Sequence, residues 1–313
     1  MKGLELSRSY YETCGRPMLS EQFPGLMPFL AVGLCGSGSE CCGYDDDISR
    51  DHDFEPGFCI FLPGEDIVSR QDAFRLERAY AKLPRTMDGV SRSLTAPAGG
   101  PRRGVLRTAD FFQDKVGSAD GMLTPAQWLS LPDYALLEAT NGAVFDDPYG
   151  EVTRIRARLG AYPPDIRLKK LAGHVLLMAQ AGQYNYSRCL KHKETGAAQL
   201  AVIQFIQSAM QAIFLLNEAY MPFYKWAFRA LRGLPRLSLL AELFEYLLTT
   251  DNDESIAEDK QDVIEGIAAD VIDELIRQGL TNAVCGDLEK HAYSIQDHIS
   301  DPGVRNMHIL AAT

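Results

Sequence analysis

Long uncharged apolar runs are scarce in this sequence. None reads as the roughly 20-residue stretch that a bilayer span requires, and residues 1–18, MKGLELSRSYYETCGRPM, lack the apolar core of a secretory leader. No membrane association is expected. Basic charge is also short: 31 Lys and Arg stand against 42 Asp and Glu, a formal net charge of −11. Between Asp251 and Leu280 ten acidic residues face two basic ones, so that stretch carries −8 and about −3 is left elsewhere. Strong nonspecific nucleic-acid binding rests on phosphate neutralisation and is not expected of this balance. The seven cysteines are odd in number and lack metal-ligand spacing, which points to free thiols in a reducing cytoplasm. No internal repeat or low-complexity tract breaks the chain.

The informative stretch is residues 36–54, GSGSECCGYDDDISRDHDF. Gly38-Ser39 follow an apolar run, Phe29–Cys35, and Gly43 comes five residues after Gly38. Glycine lets a phosphate approach the main chain closely, so Gly38 and Ser39 are candidates to hold a triphosphate. Asp51 and Asp53 are one residue apart. In a strand such a pair points to one face while His52 points to the other. Two converging carboxylates beside a phosphate loop are what a pair of magnesium ions needs to assist phosphoryl or nucleotidyl transfer. Asp45, Asp46 and Asp47, in the spacer, read as a solvated loop.

This run resembles the signature of the polymerase-β-type nucleotidyltransferase superfamily: Gly-Ser, a spacer, then Asp-x-Asp. A second block, LNEAYMPFYKWAFRALRGLP at 216–235, resembles the Asn-x-x-Tyr-x-Pro-aromatic-aromatic-Lys-Trp segment in the helical domain of aminoglycoside-type adenylyltransferases. The resemblance implies a small antibiotic-type (aminoglycoside or lincosamide) nucleotidyltransferase. Its expected chemistry is transfer of a nucleoside monophosphate from an NTP, ATP favoured, to a hydroxyl of a small-molecule acceptor, with two Mg2+ ions held by Asp51 and Asp53. The superfamily places a third carboxylate on a later strand. The matching strand here, Gly104–Ala109, offers none, and Asp110 just after it is the nearest candidate. Glu138, Asp146 or an acid of the helical domain remain alternatives. Two other readings stay open: a transferase that modifies a protein or tRNA, and a nucleotide-binding protein that has lost turnover.

The expected fold class is α+β. An N-terminal nucleotidyltransferase fold, a small mixed sheet with helices, covers 1–162, and an all-helical bundle covers 163–313, the break falling at Pro163-Pro164. Helices are expected over 4–22, 65–82 and 110–116, and strands over 29–35, 52–62 and 104–109. Residues 86–104 read as an exposed loop or flap, and Asn141-Gly142 as a turn between apolar runs. In the second half, amphipathic patterns span 168–183, 197–220, 222–232, 237–249 and 256–278, the last closed by Gly279. The Asp251–Leu280 acids lie opposite its apolar stripe, which is buried within the chain or against a twin. Residues 182–194, GQYNYSRCLKHKE, gather Arg188, Lys191 and Lys193 with Tyr184 and Tyr186, a set suited either to a triphosphate tail and a base or to a solvated helix end. Phe223, Trp226 and Phe228 read as packing residues, and His174 as a packed histidine in an apolar helix.

Overall fold

The computed structural model describes residues 1–48, 54–92 and 102–313. The chain is α+β and forms two compact units, one of residues 1–123 and 131–160, the other of 124–130 and 161–313. The break at 160–161 falls just before Pro163-Pro164. Residues 124–130, expected in the first half, pack instead with the second.

The first unit is built on a four-stranded mixed sheet in the order β5-β2-β1-β6. Its strands are β1 (Ala31–Leu34), β2 (Cys59–Leu62), β5 (Gly104–Arg107) and β6 (Ala143–Asp146). Strand β1 runs antiparallel to β2 and β6, while β2 and β5 are parallel. The two central strands, AVGL and CIFL, are buried at every position, hence their continuous apolar character. Two glycines allow close strand approach. A Cβ on Gly33 would lie 2.5 Å from the Ala143 carbonyl oxygen, and one on Gly142 2.0 Å from that of Leu34.

The helices of this unit are α1 (Gly3–Tyr10), α2 (Arg16–Gln22), α3 (Arg70–Ala81), α4 (Thr108–Val116), α6 (Asp133–Thr140) and α7 (Glu151–Leu159). A π-helical turn, Tyr11–Gly15, joins α1 to α2. Tyr10, Tyr11, Phe58 and Tyr80 are buried in one core, with Phe58 tilted or edge-on to the other three rings. Within the expected flap lies a short hairpin, β3 (Thr86–Met87) with β4 (Val90–Ser91), turned by Asp88-Gly89, both at positive φ. Asn141-Gly142 joins a helix to a strand rather than two strands.

The second unit is helical: α5 (Pro125–Ser130), α8 (Pro164–Met178), α9 (Ser187–Lys191), α10 (Thr195–Leu216), α11 (Tyr224–Arg232), α12 (Leu240–Thr249), α13 (Glu254–Arg277), α14 (Leu288–Asp297) and α15 (Pro302–Arg305). A π-helical stretch, Ala179–Tyr186, makes α8 and α9 continuous. Helix α10 is the correction to the expectation on apolar runs. It is long and apolar enough to cross a membrane by length and composition, and 67% of its most apolar window is buried in this fold. Its glutamines had hidden that length from a search for unbroken apolar residues.

On α13 the stripe Ile264, Ile267, Val271, Ile272 and Leu275 is buried, as the spacing predicts, whereas Ile276, expected in the same stripe, is 51% exposed. Two charges lie on that buried side as well. Lys260 donates to the Thr250 carbonyl, Asn252 and Gln199, and Glu274 pairs with Arg236 and Arg277.

Candidate functional site

The sheet topology decides which loops meet. Because β1 is antiparallel to β2 and β6, and β2 is parallel to β5, the end of β1 adjoins the starts of the other three strands. The register records it: Gly33 faces Cys59, Cys59 faces Gly104, and Leu34 faces Ala143. The glycine loop that follows β1 therefore shares one sheet edge with the residues that precede β2, β5 and β6.

Asn141 fixes this loop. Its side chain accepts from Gly36 N–H at 2.9 Å and donates to the Gly36 carbonyl at 2.9 Å. Gly142 N–H donates to the Cys41 carbonyl. Gly36, Gly38 and Gly43 have φ of 110°, 138° and 71°, a region that favours glycine. Among the described residues, the N–H groups of Ser37, Gly38 and Ser39 donate to no partner, and all three residues are half-exposed.

Beneath the loop lies a buried ion pair not foreseen from the sequence. Glu40 accepts from Arg103 Nη2 at 3.1 Å, their side chains being 8% and 7% exposed. Arg103 Nη1 also lies 3.5 Å from Glu55. Glycines make room for both partners. A Cβ on Gly38 would fall 2.6 Å from Glu40 Oε2, and one on Gly57 2.5 Å from Arg103 Cδ. The space beside the Gly38 Cα is thus occupied by the Glu40 carboxylate.

Asp45 departs from the solvated reading. It is 5% exposed, accepts from Gly3 N–H at 2.7 Å and has Lys2 Nζ at 3.7 Å. It anchors the start of α1, where a carboxylate is favoured by the helix dipole.

Asp51 and Asp53 lie outside the described residues. Phe54, the next residue described, packs beside Gly3, and Glu55 beside Arg103. Asp110 follows the end of β5 and stands exposed in the first turn of α4. Its neighbour Phe111 and, a turn further on, Lys115 reach the glycine loop, 3.7 and 3.8 Å from where a Gly36 Cβ would be. Lys115 is paired with Glu138. Asp146 pairs in register with Val32, two residues back along β1 from the loop edge, and takes Tyr11 OH at 3.3 Å and Arg16 at 3.7 Å.

The nearby thiols are structural. Burial pushes Cys35, Cys41 and Cys59 above the ordinary thiol range, Cys59 to about 12, and all seven cysteines are unpaired. Cys35 Sγ accepts from Arg156 at 2.7 Å, which only partly offsets that burial. None of the three is ionised near neutrality.

In the helical unit, Arg188 lies over the Tyr184 ring at 4.9 Å and donates to its hydroxyl at 2.8 Å. Lys191 and Lys193 are exposed at the end of α9, Lys193 at φ 60°. The cavity beside Tyr184, about 520 Å³, is lined by Gln183, Asp287 and Glu289 but by none of these three cations. Its carboxylates do not suit a triphosphate. Tyr186 turns inward, its hydroxyl 3.1 Å from Asn252 Oδ1 and pushed up to about 12 chiefly by burial.

In the 216–235 block, Asn217 has a structural role. It donates to the Ile213 and Arg236 carbonyls and accepts from Arg236 N–H, which fastens the end of α10. Phe223 is 45% exposed and packs on Tyr224, so it is not a core residue. Trp226 and Phe228 are half-buried.

Comparison with known proteins adds one finding. A family model described as a domain of unknown function, DUF4037, is similar to residues 128–227, about a third of the chain. No curated protein and no solved structure matches.

Proposed function

We propose that the protein is a magnesium-dependent nucleotidyltransferase that moves a nucleoside monophosphate from an NTP, ATP favoured, to a hydroxyl of a small-molecule acceptor. The observation that carries this reading is the shared sheet edge, where the glycine loop after β1 adjoins the start of β2. That strand begins at Cys59 rather than at the expected 52, and residues 54–58 lead into it from the Asp51-x-Asp53 run without forming strand. The loop is held by Asn141 and presents the N–H groups of Ser37, Gly38 and Ser39 with no protein acceptor among the described residues. Backbone donors so arranged suit an anion. Lys115 reaches the same loop, its Cε 3.8 Å from where a Gly36 Cβ would be, and the Glu40 charge is already offset by Arg103.

In the proposed step the acceptor oxygen bonds to the α-phosphorus, the bond to the bridging oxygen breaks, and pyrophosphate leaves. The hydroxyl proton passes to a base. Asp51 and Asp53 are the residues that would hold magnesium, which when bound neutralises charge at the phosphates. Ser37 to Ser39 would grip the β- and γ-phosphates. Of Glu138 and Asp146, Glu138 is nearer the glycine loop, and its bond to Lys115 must open for it to take the proton.

Calorimetric titration of ATP, GTP, CTP and UTP, with and without magnesium, tests the reading. Magnesium-dependent binding of one nucleotide, lost in Asp51→Asn/Asp53→Asn, is the expected outcome. Failure of every nucleotide to bind would sink it. A second reading is favoured by the exposure of Asp110 and the pairing of Glu138 with Lys115: a nucleotide-binding protein without turnover. Binding with no pyrophosphate release against any acceptor would select it.

A further inference from the structure

Helices α4 and α6 both bring side chains to the glycine loop, and one ion pair joins them there. Lys115, in the last turn of α4, lays its stem against Gly36. Its Nζ is 2.5 Å from Glu138 Oε2. Glu138 lies near the end of α6, three residues before Asn141, which grips Gly36 through both its N–H and its carbonyl. Burial chiefly, and the Glu138 charge to a smaller degree, push the Cys42 thiol up, which sets this carboxylate beside the chain that leaves the loop. A negative charge thus stands by the N–H groups of Ser37, Gly38 and Ser39, which have no acceptor among the described residues. Lys115 covers that charge. Both side chains are 24% exposed, and a pair that water reaches is weak enough to be exchanged.

We propose that Lys115 is a transferable cation, drawn from Glu138 to the phosphates by a bound triphosphate, so that nucleotide binding itself leaves Glu138 without its partner. The exchange rests on the transferase reading and supplies what opens the pair. Electrostatics sets its direction. A carboxylate carries one negative charge, whereas a triphosphate carries several, so the ammonium gains by moving. Lysine suits the part, because its charge sits at the tip of a flexible stem with three donors. That stem already touches the loop, and only its tip has to swing. The base is therefore exposed only when the donor nucleotide is in place. Glu138 then takes the hydroxyl proton as the acceptor oxygen bonds to the α-phosphorus and pyrophosphate leaves. It returns that proton to water, and the pair re-forms once pyrophosphate is released.

Calorimetric titration of ATP and of tripolyphosphate, each with magnesium, tests the exchange in the wild type, Glu138→Gln and Glu138→Gln/Lys115→Met. Lys115→Met by itself does not decide the matter, because it also leaves Glu138 to repel the anion; the double variant removes that repulsion. Glu138→Gln should bind both ligands about 3- to 5-fold more tightly, since no ion pair has to break. Adding Lys115→Met should then weaken both by about 10-fold or more, the loss of one charge-assisted hydrogen bond. An equal loss for the two ligands places the contact on phosphate rather than on the base. The pair is partly exposed, so the melting temperatures of both variants should stay within a few degrees of the wild type, which separates lost binding from lost folding. If the wild type binds neither ligand, the transferase reading falls and the exchange with it. If the wild type binds but Glu138→Gln binds no more tightly, or the double variant binds as well as Glu138→Gln, the exchange alone is overturned.

Discussion

A single side chain sets the first two predictions. Arg103 is the partner that makes the burial of Glu40 tolerable. Arg103→Met should therefore destabilise the first unit by about 3–5 kcal/mol, because a buried charge is left uncompensated. Glu40→Leu/Arg103→Met should lose less than Arg103→Met alone. Denaturant midpoints of the single and double variants measure the difference. His174 sets the second. Its folded pKa is about 3 and an unfolded histidine titrates near 6.5, so the unfolded state binds the extra proton between those values. Stability is full above about pH 6.5 and declines as pH falls toward 3, by up to about 1.4 kcal/mol per pH unit from this residue. Lys170, on the same helix, is the charge that adds to the effect of burial. The slope should shrink in His174→Phe when unfolding is followed from pH 7 to 4. At this scale the sequence was least legible. His174 in an apolar helix reads as a packed histidine, and its burial agrees, but no local pattern announces how far that burial lowers its pKa. Glu40 and Arg103 are 63 positions apart, and no local pattern joins them.

Elements were more legible than residues. The periodicity of α8, α10, α12 and α13 places each helix within a few residues of its observed ends, because apolar faces and caps are local signals. The exceptions are tertiary. The π-helical stretch Ala179–Tyr186 has no local signature, and its Gly182 is set by neighbours: a Cβ there would meet Phe205 at 2.5 Å and Ile264 at 2.8 Å. Gly182→Ala should destabilise by about 1–3 kcal/mol through overpacking. Gly266 lies in mid-α13 with nothing within 4 Å of a Cβ, and Gly266→Ala should stabilise by about 0.4–1 kcal/mol through the unfolded state. The same chemical change with opposite signs, read from thermal midpoints, isolates packing from propensity. The candidate site was legible in the same partial way. The spacing from Gly38 to Asp53 is contiguous and can be read directly. Asp110 is read by nearness in sequence to β5, and it stands exposed on α4 one residue before Phe111, which reaches the loop.

The whole molecule shows one feature that no window of sequence contains. Residues 124–130 leave the first unit and pack in the second, where Trp128 is 6% exposed and edge-on to Tyr162 at 5.8 Å. Trp128→Ala should lower the stability of the helical unit by about 3–5 kcal/mol. With Trp226 replaced by Phe, the fluorescence of Trp128 alone reports that unit. Loss of its blue-shifted emission at a lower denaturant concentration than loss of sheet signal would bear this out, and coincident loss in Trp226→Phe and an unchanged midpoint in Trp128→Ala would refute it. The register of β1 against β6, Val32 with Asp146, has a further result in time. On the ribosome the central strand must wait for more than a hundred residues to emerge before its second neighbour exists, and closing so long a loop is slow. The segment with Trp128 emerges before that wait ends and is not covered until the helices after residue 160 are made. During that interval the nascent chain carries an unpaired strand edge and an uncovered tryptophan at once, the two surfaces that chaperones bind.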